Sequence, residues 1–134
     1  MKVIICGAGS SGSVVARRLA ENPDLRVLLQ AMKYARNFNL TVYLRPNEPN
    51  LSKGGVAHAG AYASRMGLSG VPTMAETIAL QAYFELVRAT GTALHICRVS
   101  SAKGVELIRQ AKAEGLPVTC DVAIHHVHLI DLDI

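Results

Sequence analysis

The chain has 134 residues, half of them hydrophobic, and 14 Lys and Arg against 10 Asp and Glu give a formal net charge of +4. This length allows one domain with a substantial core, and the hydrophobic content excludes wholesale disorder. The basic residues are scattered and are not interleaved with aromatic residues, so we expect no nucleic-acid partner. The first apolar run, Val3–Cys6, is too short for a signal peptide or a membrane span, which predicts a cytoplasmic protein without a membrane partner.

A glycine-rich turn follows the first predicted strand, Lys2–Cys6, and opens a helix. The pattern G-x-G-x-x-G in this context is typical of dinucleotide binding, because the backbone N–H groups at the helix start hold phosphates. The segment GAGSSGSVVARRLAENPDLRVLL resembles the FAD-binding start of glucose–methanol–choline oxidoreductases, over residues 1–29. That resemblance implies an acidic residue after the second strand, where this chain has Gln30 and Ala31. The turn is therefore either structural or a weak site for FAD, NAD or ADP, formed by Gly7, Gly9, Ser10, Ser11 and Gly12.

Residues 24 to 38 are compatible with two structures. Arg26–Leu29 could be the second strand of a dinucleotide fold, but the apolar residues of the segment also recur at helical spacing, and we favour the helix. The apolar face of that helix would consist of Leu25, Leu28, Leu29, Met32 and Ala35.

A strand, a long loop and a second helix are predicted next. Leu40–Leu44 is the strand, and residues 50–71 form a glycine-rich stretch too long for a passive connector, which is typical of a functional loop. Thr73 and Glu76 match the capping box of a helix that runs to about Arg88 and ends at Gly91.

The last part of the chain predicts one strand–helix–strand unit. Ala93–Cys97 and Val118–Ala123 are short apolar runs typical of buried strands. The helix between them begins at a cap formed by Ser100 or Ser101 and ends at Gly115. Its apolar face consists of Val105, Ile108 and Ala111. Such a unit is parallel and right-handed, so Arg98 and the histidines after the second strand fall at the carboxyl edge where ligands bind.

Two segments, LTVYLRPNEPNLSKGGVAHAGAYASRMGLSGVPTMAETIAL and LHICRVSSAKGVELIRQAKAEGLPVTCDVAIHH, resemble the central barrel of bacterial dihydroorotases. This resemblance to zinc-dependent cyclic amidohydrolases covers residues 28–134. It implies that His126 matches a metal-binding histidine and Glu48 a metal-binding aspartate, whereas Arg98 replaces a second metal histidine. An arginine cannot ligate zinc. The first-strand histidine pair and the late aspartate of the family lie outside the segment.

The histidines after the last strand leave two alternatives. His126 and His128 would point to one side if that strand continued, and Glu48 from a neighbouring strand could complete a weak zinc site. The other alternative is a solvated loop without metal. His95 is interpreted as a hydrogen-bonded strand residue.

The sequence therefore predicts a single α/β domain, residues 1–134, with four strands and Arg26–Leu29 as an alternative fifth. A (β/α)8 barrel needs eight strands and about 250 residues. We expect an open, doubly wound parallel sheet of the Rossmann or flavodoxin type; the alternative is half a barrel that pairs as a homodimer through its open edges.

Two resemblances, each lacking decisive residues, lead to the functional hypothesis. We interpret the chain as an engineered chimera of a Rossmann-type unit (residues 1–29) and a dihydroorotase-like segment (residues 30–134), without catalytic activity or a bound cofactor. One alternative is a weak nucleotide- or phosphate-binding module acting through Gly7–Gly12. The other is a truncated or pseudo-dihydroorotase that acts as a binding partner.

Overall fold

A computed structural model describes residues 25–130 and 133, together with the backbone of residues 3–5. Six strands are present: β1 Val3–Ile5, β2 Val42–Leu44, β3 Ala57–His58, β4 Gly70–Val71, β5 Leu94–Ile96 and β6 Val118–Cys120. Six helices are present in the same residues: α1 Leu25–Asn37, α2 Pro49–Ser52, α3 Ala61–Arg65, α4 Met74–Thr90, α5 Ala102–Ala113 and α6 His125–His128.

The main sheet has the strand order β1-β2-β5-β6, and β3 pairs with β4 in a separate small sheet. All four predicted strands form, each shorter than predicted. Strands β2, β5 and β6 are parallel, with Leu44 opposite Ile96 and Ile96 opposite Cys120. Strand β1 instead runs antiparallel to β2. The expectation of a Rossmann-type parallel pairing is therefore wrong for β1 and β2, because a dinucleotide fold keeps these strands parallel.

The long helices all pack on one face of the sheet. The inward side chains of β2, β5 and β6 share a single core with α1, α4 and α5. Because the chain steps from β2 to β5 to β6 in one direction, right-handed crossovers place both connecting helices on the same side. The expected doubly wound arrangement, with helices on both faces, is not formed by the described residues. One-sided packing is the arrangement of consecutive units of a (β/α) barrel.

Residues 25–37 form a helix, as favoured from the spacing of their apolar residues. Leu28 and Met32 are completely buried in its core-facing side, while Leu25 is exposed. The hydroxyl of Thr92, just before β5, donates to the carbonyl oxygen of Met32 at 2.8 Å. This bond fastens α1 to the strand layer.

Helix α4 begins and ends near the predicted residues, but its start is not a capping box. Thr73 has helical dihedral angles and its side chain accepts no capping hydrogen bond. Glu76 is 7% exposed and binds Ser100 and Ser101 instead. The helix ends at Gly91, which has the left-handed φ of 65° expected of a C-terminal glycine.

Helix α5 is capped as predicted, because the Ser101 hydroxyl accepts from the Gly104 backbone N–H at 2.9 Å. Its buried face contains Ile108 and Ala111, as predicted, but Val105 is 42% exposed. Gly104 takes the inward position at the first turn. The assignment of Val105 to the core is therefore wrong.

The predicted functional loop, residues 50–71, contains α3, β3 and β4 and part of α2. Gly70 lies so close to Ala59 that an added Cβ would overlap its backbone, so a side chain at position 70 would force the small sheet apart. Among the helices of the described residues, none combines the length and apolar character needed to cross a membrane.

Candidate functional site

A cleft of about 830 Å³ lies at the carboxyl edge of the parallel strands, and we call it the carboxyl-edge cleft. The loops after β2 and β5, the small sheet and helix α6 surround it. Three of its side chains are cationic, and two more are histidines: Arg45, Arg98 and Lys103, and His58 and His126. Among the described lining residues, Glu76 is the one acid. The cleft therefore has a cationic lining that favours anionic groups.

Arg98 stands at the end of β5 with a left-handed backbone, φ 60°. Its backbone N–H donates to Asp121 Oδ1 at 2.5 Å. A left-handed conformation costs a non-glycine residue about 1 kcal/mol or more. The hydrogen bond holds that conformation and directs the arginine to the cleft.

The carboxylate of Glu76 is fully engaged by the β5–α5 loop. Its Oε2 accepts from the backbone N–H and hydroxyl of Ser100, at 2.9 and 2.6 Å. Its Oε1 accepts from the corresponding groups of Ser101, at 3.1 and 2.6 Å. Charge-assisted bonds of this kind are stronger than neutral ones. Glu76 therefore joins α4 to the loop and offers no unused oxygen to a ligand.

Tyr83 supports the loop after β2 from below. Its hydroxyl donates to the carbonyl oxygen of Arg45 at 3.3 Å. Burial raises the pKa of Tyr83 to about 12, partly opposed by a backbone hydrogen bond from Asn47. The phenol is therefore a neutral donor that positions the start of this loop.

A second polar cluster lies on the strands themselves. The donor atoms of His95, Cys97 and Asp121 all lie within 4.8 Å of one another. His95 Nδ1 is 2.7 Å from Thr119 Oγ1, and its Nε2 is 3.1 Å from Asp121 Oδ2. These contacts confirm His95 as a hydrogen-bonded strand residue. Hydrogen bonds from the Arg98 backbone N–H and then from His95 hold the pKa of Asp121 below its usual range.

Sequence reasoning missed Cys97 and Asp121 as members of this cluster. His95 lies on β5 and Cys97 directly follows that strand, two residues later, so both face the side opposite the helices. Ile96 pairs with Cys120, which places the following residues, Cys97 and Asp121, beside each other. The spacing H-x-C was visible in the sequence, but the register that adds Asp121 was not.

The structure places the predicted metal residues apart. Glu48 caps helix α2, with Oε2 accepting from the Leu51 N–H at 2.7 Å. His126 and His128 lie on helix α6 and not on a continuing strand, so the alternation that would align them does not arise. Within residues 25–130, the three-residue group with metal-binding geometry is His95, Cys97 and Asp121. The structure does not bring Glu48, His126 and His128 together as one group of ligands, and zinc binding by these residues stays a prediction.

Residues 25–104 match the family described as Dihydro-orotase-like. The chain belongs to this family. It is 46% identical over 106 residues to a dihydroorotase-like protein of Pseudomonas aeruginosa, covering 79% of this chain and 25% of the relative. It is 42% identical over 108 residues to a dihydroorotase of Anaeromyxobacter sp. (strain K), covering 81% and 25%. The chain thus spans about a quarter of the length of these curated relatives.

Solved barrel structures resemble the fold of this dihydroorotase-like chain. L-Hydantoinase (dihydropyrimidinase) from Arthrobacter aurescens superposes with a TM-score of 0.66 at 20% identity, covering 82% of this chain and 25% of that structure. D-Hydantoinase from Bacillus sp. AR9 gives 0.66 at 16% identity, covering 93% and 32%. At these identities the likeness shows the fold alone: the chain has the architecture of part of a (β/α) barrel.

The zinc ion that the resemblance to dihydroorotases implies does not fit the carboxyl-edge cleft. At the end of β5 the cleft presents the Arg98 guanidinium, which is a cation and donates hydrogen bonds only. Glu76, the acid of the lining, has both oxygens occupied by serines. The arginine and the occupied glutamate therefore do not form a site for a hydrolytic zinc ion in this cleft.

The predicted phosphate-binding turn, Gly7, Gly9, Ser10, Ser11 and Gly12, lies outside the described residues. The family match begins at Leu25 and does not include it. The oxidoreductase resemblance, the chimera and the binding of FAD, NAD or ADP stay predictions.

Proposed function

We propose that this dihydroorotase-like chain is a non-catalytic binding partner that associates with a second copy of itself through the edge of β6. The observation that carries the proposal is a strand edge that has no partner among the described residues and is followed in sequence by exposed apolar side chains. Within the described residues β6 has one neighbour, β5, so its other edge offers N–H and C=O groups for pairing. Complete barrels have no such edges.

The segment after β6 supports this proposal. It presents apolar side chains that are 48 to 70% exposed: Val122, Ile124, Val127, Leu129 and Ile130. Exposed apolar side chains this close together in sequence are typical of a segment that makes a protein–protein contact. Two copies related by a two-fold axis would pair their β6 edges antiparallel, join the two sheets into one and cover the apolar side chains of both.

The absence of ring hydrolysis is the second part of the proposal. Arg98 occupies the end of β5 with a fixed positive charge, beside Arg45 and Lys103 in the lining. A positively charged lining favours anions, and its two histidines, His58 and His126, belong to no group of three metal-binding side chains within the described residues. We therefore expect the chain to act by association through the β6 edge and not by turnover in the carboxyl-edge cleft.

The association is tested by sedimentation velocity on the full chain and on two variants. We expect the parent chain to dimerise and Ile124→Lys to shift it toward monomer, because the charge opposes burial of these apolar side chains. Met66→Lys is the matched control, since Met66 is 57% exposed at the end of α3. Far-ultraviolet circular dichroism verifies that each variant is folded. A monomeric parent chain, or equal effects of both variants, would contradict the proposal.

The catalytic part is tested with dihydroorotate and its ring-opened product as substrates. We expect no turnover in either direction with or without added zinc. Turnover that disappears in His126→Ala would instead establish a hydrolase and overturn this part of the proposal.

The finer hypothesis, that residues 1–29 are a Rossmann-type unit joined to the barrel segment, also belongs here. It is supported by the start of the family match at Leu25. The antiparallel direction of β1 shows that β1 is not a consecutive barrel strand, but it does not support a Rossmann pairing either. Consecutive strands of a barrel are parallel.

A further inference from the structure

The polar cluster on β5 and β6 combines three different metal-binding side chains on the face opposite the helices. His95 offers an imidazole nitrogen, Cys97 a sulfur and Asp121 a carboxylate oxygen, all within 4.8 Å of one another. We infer that this cluster binds one divalent transition-metal ion of the zinc type. Nitrogen, sulfur and oxygen donors at such positions are the ligand set that Zn²⁺ and Co²⁺ prefer.

The three ligand atoms, which lie within 4.8 Å of one another, must move slightly closer to bind a single ion. Two ligands on one tetrahedral zinc ion are separated by about 3.3–3.8 Å, from bond lengths of about 2.0–2.3 Å. The cluster must therefore contract by roughly 1 Å. Asp121 can move by that amount because its side chain is 50% exposed, whereas His95 is 19% exposed and held by the strands.

Thr119 gives His95 the outer hydrogen bond that metal-binding histidines generally have. The Thr119 hydroxyl lies 2.7 Å from His95 Nδ1 and can either donate or accept. In the metal-bound state a proton on Nδ1 would donate to Thr119, which leaves the lone pair of Nε2 for the ion on the side where Nε2 now hydrogen-bonds Asp121 Oδ2 at 3.1 Å. Such a partner fixes the tautomer and the ring orientation.

Binding has a defined proton balance. The metal replaces the hydrogen bond between His95 Nε2 and Asp121 Oδ2, and the displaced proton moves to Nδ1. The Cys97 thiol releases its proton to solvent, because thiolate is the binding form. The ion thus has three protein ligands and an open position for water.

One neighbouring charge opposes the ion. Arg98 follows the cluster and donates its backbone N–H to Asp121 Oδ1 at 2.5 Å. Its positive charge is repelled by a divalent cation. We therefore expect weaker binding than at a structural site with four protein ligands, and one ion per chain.

Cobalt titration of the full chain, in the presence of a non-thiol reductant, tests the site directly. Co²⁺ bound to a thiolate gives a charge-transfer band in the near ultraviolet that nitrogen and oxygen ligands alone do not give. We expect one equivalent of Co²⁺ to develop this band in the parent chain. Cys97→Ser should abolish it, and Thr119→Val should weaken binding by about 10–100-fold through loss of the outer partner.

Two controls separate this site from the others in the chain. Cys120→Ser removes an exposed thiol outside the cluster and should leave the band unchanged. His126→Ala combined with His128→Ala should also leave it unchanged. If Cys97→Ser proves unfolded by circular dichroism, Asp121→Asn replaces it, with a fall in affinity expected. Absence of a band in the parent chain, its persistence in Cys97→Ser, or its loss in the histidine variant would overturn the inference.

Discussion

The contact between Gly104 and Glu76 predicts that Gly104→Ala destabilises the parent chain but stabilises a variant that lacks the Glu76 carboxylate. A Cβ built on Gly104 would overlap Glu76 Oε1, the oxygen that accepts both hydrogen bonds from Ser101. Gly104→Ala therefore displaces the carboxylate. The expected loss is about 3 kcal/mol for two bonds to a charged group. Alanine in place of a helical glycine returns about 1 kcal/mol, so the variant should be roughly 2 kcal/mol less stable than the parent.

Removal of the carboxylate should reverse that effect. In the Glu76→Ala background the new methyl group meets no carboxylate, and only the Ser101 Oγ, 3.0 Å from the added Cβ, must give way slightly. Gly104→Ala should therefore stabilise that background by up to about 1 kcal/mol. Glu76→Gln is the matched control. It retains the shape of the side chain, so Gly104→Ala should still destabilise in that background.

Urea denaturation measures all six proteins, with the midpoint compared at constant slope. For a chain of this size, 2 kcal/mol corresponds to roughly 6–10 °C in Tm, which thermal unfolding resolves. An equal cost of Gly104→Ala in all three backgrounds would refute the assigned packing of Glu76 against α5.

Three further outcomes are expected. Since the folded pKa of Tyr83 is about 12 against 10.0 ordinarily, the unfolded chain loses this proton first. Stability should therefore fall between pH 10 and 12, by roughly 2–3 kcal/mol more in the parent chain than in Tyr83→Phe, and parallel slopes in denaturant titrations would contradict this. Ile108→Ala should cost about 3 kcal/mol, whereas Val105→Ala should cost less than about 0.5 kcal/mol; comparable costs would place the wrong face of α5 inward. FAD, NAD or ADP at about 1 mM should leave Tm unchanged, and a rise abolished by Gly9→Ala would instead support the nucleotide-binding turn.

Local apolar spacing was sufficient to predict most elements of the fold. The helix of residues 25–37, the end of α4 at Gly91 and the cap of α5 by Ser101 depend on neighbours in sequence, which a single chain displays. The direction of β1 and the packing of helices on one face depend on how strands order in space. A parallel βα pattern is shared by open sheets and barrels, so it could not decide between them.

The candidate site shows the same division. Glu76 stands three residues after Thr73, which matches a capping box, yet its hydrogen bonds go to serines 24 and 25 residues away. His126 and His128 were aligned by assuming that β6 continues. Among the described strands β6 has one neighbour, β5, and after Cys120 the chain leaves the sheet and forms helix α6. The partner of Glu76 and the end of β6 therefore both depended on contacts distant in sequence.

The left-handed backbone at Arg98 also determines which substitutions position 98 tolerates. Glycine adopts this conformation without steric cost and asparagine with little, whereas branched side chains resist it most strongly. A saturation library at this codon should therefore rank residues by backbone geometry when folding is selected. Selection for an anion in the carboxyl-edge cleft would instead rank them by charge, so the two rankings separate what the loop requires from what the cleft requires.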